Sequence, residues 1–204
     1  MLRDKAMLAS MKIHMFGGSK LDRQVTEDVA NQYGTAKNSG RYTKQLIPPA
    51  YLKPISGASS NLRNGFYANS AVWNDAGERI ITTDMLWKYQ TVHDNNVARF
   101  NDCVGEIVDN WDDILDAARL ELNGLFNPDD YPSKDNIASK FGVRFAVLPF
   151  PSADDFRVDI SDQERAMLQD QLNEEISDRV AASMSELWDR LRESVEYADR
   201  DWET

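Results

Sequence analysis

The sequence is poor in the residues that carry out chemistry. Its 204 residues hold one cysteine, Cys103, and two histidines, His14 and His93. A lone cysteine excludes an intrachain disulfide and suits a reducing compartment. Cys103 falls in a helical pattern, where a small packing residue is the ordinary role. The histidines are far apart, and no His-Glu-x-x-His, Cys-x-x-Cys or Gly-x-Ser-x-Gly pattern occurs. No apolar run approaches the ~20 residues that span a bilayer. Nor does an apolar signal core follow the charged Met1–Lys5. The expectation is therefore a cytoplasmic protein with no membrane partner, no cofactor and no metal, and not an enzyme.

Charge is present in quantity but unevenly spread. Residues 1–70 carry ten Lys/Arg against four Asp/Glu, and residues 71–204 carry thirteen against thirty, so nets of +6 and −17 combine to −11. Tyr33, Tyr42, Tyr51, Phe66, Tyr67 and Trp73 lie among or just after the basic residues. Lys37, Arg41, Lys44, Lys53 and Arg63 could neutralise phosphates, while Tyr42, Tyr51, Phe66 and Tyr67 could stack on unpaired bases. The candidate nucleic-acid-binding set is Lys37, Arg41, Tyr42, Lys44, Tyr51, Lys53, Arg63 and Tyr67. The competing reading places the aromatics in the core and pairs the basic residues with the acidic helices.

Periodicity predicts an α+β fold, mostly helical, with a small antiparallel sheet and a long C-terminal amphipathic helix. Met11–Met15 alternates as a short strand, ended by Gly17-Gly18-Ser19. Leu21–Tyr33 is weakly helical, with Gly34 as its stop. Residues 35–47 read as a mobile basic loop. Pro48-Pro49 and Pro54 predict an extended passage, with Ser56 capping a helix to about Ser70 and burying Leu62 and Phe66. Asp75-Ala76-Gly77 is a turn before an Arg79–Ile81 strand, and Thr82 or Thr83 caps the next helix, with Asp84 in its first turn. That helix carries one apolar stripe from Leu86 to Leu125, with Asn95-Asn96 or Gly105 as candidate breaks. Asn127–Pro132 is a turn, and Ser133 caps a short helix to Lys140. Phe141–Val147 and Phe156–Ile160 alternate as a hairpin near 141–160.

Ser161 and Glu164 form a capping box. The helix after it carries Leu168, Leu172, Ile176, Val180, Met184, Leu187 and Leu191, spaced by four and three. Over roughly 35 residues it reaches on the order of 50 Å. That exceeds a small domain, so this stripe is the expected oligomerisation seam. The domain reading is a mixed α/β body, residues 1–160, followed by the helix and acidic tail, 161–204.

Two further patterns have ordinary explanations. Gly17-Gly18-Ser19-Lys20 follows a strand, but it lacks the Walker spacing and order. Asp109, Asp112 and Asp113, Asp129-Asp130 and Asp154-Asp155 could hold Mg²⁺, but they also suit a solvated helix face and turns.

Several stretches carry a family resemblance: Lys44–Pro48 with Leu52–Ile55, Val72–Asp75 with Gly77–Ile80, Leu125–Ser133, Asp154–Val158 and Glu186–Leu191. Together they resemble the DUF3150 family of uncharacterised bacteriophage and prophage proteins, over most of residues 10–195. The resemblance implies a phage origin and a bacterial host cytoplasm, and it supplies no catalytic residue. Two roles are expected of such a chain. One is single-stranded DNA binding or annealing in phage recombination or replication. The other is an acidic adaptor or regulator of a phage ATPase or host factor, or a virion component.

Overall fold

A computed structural model describes residues 5–151 and 161–202, with side chains to residue 198. The chain is α+β, mostly helical, with a small sheet and a long C-terminal helix. Its elements are β1 (Ala6–His14), β2 (Ser19–Leu21), α1 (Arg23–Tyr33), β3 (Thr43–Gln45), α2 (Pro49–Ala68), β4 (Ala71–Val72), β5 (Glu78–Thr82), α3 (Thr83–Asp109), α4 (Trp111–Leu122), α5 (Lys134–Ile137), β6 (Gly142–Pro149) and α6 (Asp162–Trp202). Short 3-10 turns flank α5. Among the described residues the chain forms two compact units. One comprises residues 5–12, 62–95, 144–151 and 161–202; the other comprises 13–61 and 96–143. The helix from residue 162 thus belongs with the sheet and is not a segment standing apart from residues 1–160.

The first unit is built on the sheet, ordered β4-β5-β1-β6. β1 and β5 are antiparallel, with Met7 opposite Ile81 and Leu8 opposite Ile80. β1 begins five residues earlier than its alternating stretch suggests, because both of its faces are covered. Ala6 and Leu8 pack with Trp73, Phe150 and Ile176, and Leu172 and Val180 lean on that cluster. Met7, Ala9 and Met11 face Phe66, Ile81 and Tyr89. A strand buried on two faces reads as a continuous apolar run, which hides its period of two. The predicted β4–β5 turn is present, with Gly77 at φ 88°. Thr82 caps α3, its hydroxyl accepting from the Met85 N–H at 3.3 Å.

Three expectations need correction. Pro48–Leu52 is not extended: α2 starts at Pro49 and contains Pro54. Proline suits the first helical position, and Pro54 forfeits one hydrogen bond in an otherwise continuous helix. Residues 43–45 are not loop but β3, paired with β2. The long helix breaks neither at Asn95-Asn96 nor at Gly105 but at Asn110. There the side-chain amide donates to the Glu106 carbonyl at 2.7 Å, the same oxygen its own backbone N–H reaches at 3.1 Å. A side chain competing for a helical carbonyl bends or ends the helix.

The 141–160 hairpin is described only in its first arm, as β6; the second arm, Phe156–Ile160, lies outside the described residues. β6 opens at Gly142, where a side chain would collide with the His14 ring. The capping box is present as read: the Ser161 hydroxyl accepts from the Glu164 N–H at 3.3 Å, and the Ser161 N–H donates to the Glu164 carboxylate at 3.0 Å.

Candidate functional site

In the second unit the glycine turn builds a two-stranded ribbon. Gly18, at φ 61°, offers its carbonyl to the Leu46 and Ile47 N–H groups at 2.7 and 3.2 Å. The space a side chain would need there is taken by Leu52. Asp22 then caps α1, accepting from the Val25 N–H at 3.1 Å. The Asp22 N–H donates to the Tyr42 carbonyl at 2.9 Å. Thr26 completes the clamp: its hydroxyl donates to the Asp22 carbonyl at 2.6 Å and accepts from the Tyr42 N–H at 2.9 Å. Gly34, at φ 63°, ends α1 in the left-handed conformation. Tyr42 is therefore held on the flank of α1 by backbone bonds.

Against α1 and the 35–42 loop lies an open cavity of about 380 Å³, lined by Thr26, Val29, Tyr33, Ser39, Arg41 and Tyr42 among others. A second recess of about 310 Å³ is lined by Arg23, Thr26, Glu27, Lys37, Gly40 and Arg41. Thr26, Gly40 and Arg41 line both. Tyr33 is 72 % exposed and Tyr42 38 %. Sequence reasoning left Tyr33 out of the interface, because it closes a helix rather than sitting among the loop cations.

The candidate nucleic-acid residues have different fates. Lys37 and Arg41 are exposed and line the second recess, although Lys37 pairs with Glu27. Its hydrogen bond and charge hold the Glu27 carboxyl below the usual carboxylate range. Lys44 is only 6 % exposed. Its ammonium sits 2.6 Å from Asp130 and 3.3 Å from Asp22, and it donates to the Leu125 carbonyl at 3.1 Å. The hydrogen bond to Asp130 raises the Lys44 pKa against the opposing effect of burial. Lys20 meets the other Asp130 oxygen at 2.5 Å. Burial works against ionisation of Asp130, but the two lysines outweigh it and its pKa is lowered. Lys44 is thus a buried structural cation, not a phosphate contact.

Tyr51 and Lys53 are exposed on the first turns of α2. Arg63 and Tyr67 fall in the first unit, where the Arg79 guanidinium lies 4.8 Å over the Tyr67 ring. Phe66, weighed as a stacking residue, is core at 1 % exposure. The unit holding most of the basic third also holds residues 96–143, so it carries ten Lys/Arg against thirteen Asp/Glu.

The stripe assigned to oligomerisation divides within α6. Leu172, Ile176 and Val180 pack on the unit's own sheet. Beyond Val180 the inward line turns polar. The Ser183 hydroxyl donates to the Val72 carbonyl, and Glu186 accepts from the Val72 N–H at 2.8 Å. Arg190 donates to the Tyr67 and Ser70 carbonyls at 2.7 and 3.0 Å. Leu168, Met184, Leu187, Trp188, Leu191 and Val195 are left exposed.

Among the described residues, no group of three or more His, Cys, Asp or Glu is placed to hold a metal ion, and no helix is long and apolar enough to cross a membrane. Cys103 is half-buried, and burial pushes its thiol pKa up. Compared with known proteins, no family model, curated protein or solved structure matches this chain, and the DUF3150 resemblance gains no support from that side.

Proposed function

We propose that this chain is a non-catalytic interaction protein that assembles through the distal half of α6, with a second copy of itself as the partner. One observation carries the reading. At about 100° per residue, Met184, Leu187, Trp188, Leu191 and Val195 fall within an arc of roughly 100°. Its centre lies about a quarter turn from Ser183, the inward-facing residue. All five are at least 40 % exposed. Large apolar side chains scattered singly are ordinary on a surface, but a contiguous stripe marks an interaction face.

Charge supports a second copy as the occupant. On one side of the stripe Arg192 pairs with Asp189; on the inward side Arg190 is turned onto the Tyr67 and Ser70 carbonyls, with Glu186 3.6 Å away. Two such stripes can meet without bringing uncompensated like charges together. Magnitude sets the expected strength. Full burial of a large apolar side chain is worth about 1.5–3 kcal/mol. These five are already about half covered, so roughly 4–8 kcal/mol remains to be gained on each copy, or about 8–16 kcal/mol for the pair. Association costs about 4–15 kcal/mol before any gain appears. The expected dimer is therefore weak, with a dissociation constant of about 1–100 µM.

Light scattering from 5 to 200 µM tests this. The wild type is expected to shift from monomer to dimer across the series. Leu187→Glu with Leu191→Glu should stay monomeric with an unchanged circular dichroism spectrum, since neither residue lies in the sheet-facing cluster. A wild type that remains monomeric at 200 µM overturns the reading.

A further inference from the structure

The two recesses beside α1 share a wall, and their linings differ in chemistry. One offers the rings of Tyr33 and Tyr42 with the hydroxyl-bearing Thr35 and Ser39. The other offers Arg23 and Lys37. Arg41 lines both. Neither tyrosine ring packs on another aromatic ring, and neither Arg23 nor Arg41 has an ion pair, among the described residues. The Tyr42 backbone is held by two hydrogen bonds, so only the torsions of its side chain remain to be ordered at binding.

We propose that this pair of recesses binds a nucleotide, with the base against Tyr33 and Tyr42 and the phosphate among Arg41, Arg23 and Lys37. A flat ring with a charged group attached is the ligand chemistry that an aromatic pocket joined to a basic recess selects. The volume of the first recess lies in the usual range for a small-molecule site, about 300–1,000 Å³. Its open side lets a neighbouring nucleotide continue outward, so the unit bound is either a free nucleotide or one residue of a single strand. The site is distinct from the α6 stripe and does not depend on dimer formation. It also differs from a broad basic surface, since Lys44 is withdrawn from solvent and takes no part. Among the described residues Glu27 is the carboxylate lining the basic recess, and it competes with a phosphate for Lys37.

Fluorescence anisotropy on the full chain tests the site, with a labelled 12-nucleotide oligothymidylate, the matching duplex and unlabelled thymidine monophosphate as probes, at 50–300 mM salt. The single strand is expected to bind and the duplex to bind more weakly, because stacking needs an unpaired base. Tyr33→Ala and Tyr42→Ala should each weaken binding by about fivefold to a hundredfold, the range of a lost base–aromatic stack. Tyr33→Phe, which keeps the ring, should retain affinity. Arg41→Ala should flatten the slope of log affinity against log salt by about 0.7, one phosphate contact on a single strand. Glu27→Gln should tighten binding by freeing Lys37.

Competition by thymidine monophosphate with the same dependence on the tyrosines identifies a free-nucleotide pocket. Strand binding without such competition identifies a strand subsite. Absence of strand binding at 50 mM salt together with absence of mononucleotide binding overturns the proposal. So does binding that Tyr33→Ala, Tyr42→Ala and Arg41→Ala leave unchanged.

Discussion

At the scale of single residues, His93 is the group whose environment most clearly couples chemistry to stability. It is 6 % exposed on α3, with its ring 4.7 Å from Phe145 and Nδ1 3.2 Å from the Tyr89 hydroxyl. Burial lowers its pKa, and the nearby Asp94 charge only partly opposes this. The same desolvation pushes the Tyr89 hydroxyl up to about 12. A histidine whose folded pKa lies below its unfolded value of about 6.5 binds fewer protons when folded. Its contribution is complete above that unfolded value and is lost as pH falls toward the folded one. The carboxylates with lowered pKa, Asp22, Glu27, Asp130 and Glu164, lose their contribution in a separate and more acidic window. Thermal melts from pH 7.5 to 5.5 are expected to show a falling midpoint for the wild type. His93→Gln keeps a polar partner for Tyr89 but does not titrate, so its midpoint should stay nearly level. Equal slopes for the two proteins would remove His93 as the cause.

Among the elements, α6 has the start that is written most locally. The Ser161–Glu164 box satisfies backbone donors of the first turn, and those hydrogen bonds hold the Glu164 carboxyl below its ordinary pKa. Ser161→Ala should cost about 0.5–2 kcal/mol. That corresponds to roughly 2–4 °C per kcal/mol in a chain of this size. Ser161→Thr should recover most of it, read by differential scanning calorimetry. Such short-range devices are what a sequence displays: the Asp75–Gly77 turn, the Gly34 stop, the cap on α3 and this box each need only a few neighbouring residues. What was hidden depends on distant partners. Lys44 looks like a loop cation until Asp22 and Asp130 close on it. Pro49 and Pro54 look like breakers until Ile55, Ala58, Leu62 and Phe66 are buried along the same helix. Asn110 outcompetes Asn95-Asn96 and Gly105 as the break because its own side chain takes a helical carbonyl. The candidate interface was half legible for the same reason. Arg41 and Tyr42 are adjacent in sequence, whereas Tyr33 joins them only because Thr26 and Asp22 clamp Tyr42 onto α1.

For the whole molecule, the question is whether residues 1–160 can fold without α6. The chain re-enters its sheet-containing unit at the end, and Leu172, Ile176 and Val180 cover the cluster formed by Ala6, Leu8, Trp73 and Phe150. Removing one buried large aliphatic side chain costs about 2–5 kcal/mol. Ile176 is buried and Leu172 and Val180 are partly buried, so counting those two at about half gives roughly 4–10 kcal/mol in all, a large share of the stability of a typical domain, about 5–15 kcal/mol. The loss also strips Val72, Tyr67 and Ser70 of their partners on Ser183, Glu186 and Arg190. A chain ending at residue 160 should therefore show no cooperative melt and should bind a hydrophobic dye. A chain ending at residue 183 keeps the apolar anchor but loses Glu186, Arg190 and the exposed stripe. It should melt cooperatively at a lower midpoint and stay monomeric at 200 µM. These two truncations separate the roles of the helix: its first half completes a core, and its second half presents a surface. A 1–160 chain that melts like the full protein would show that the sheet needs no cover from α6, and the division within the helix would fall with it.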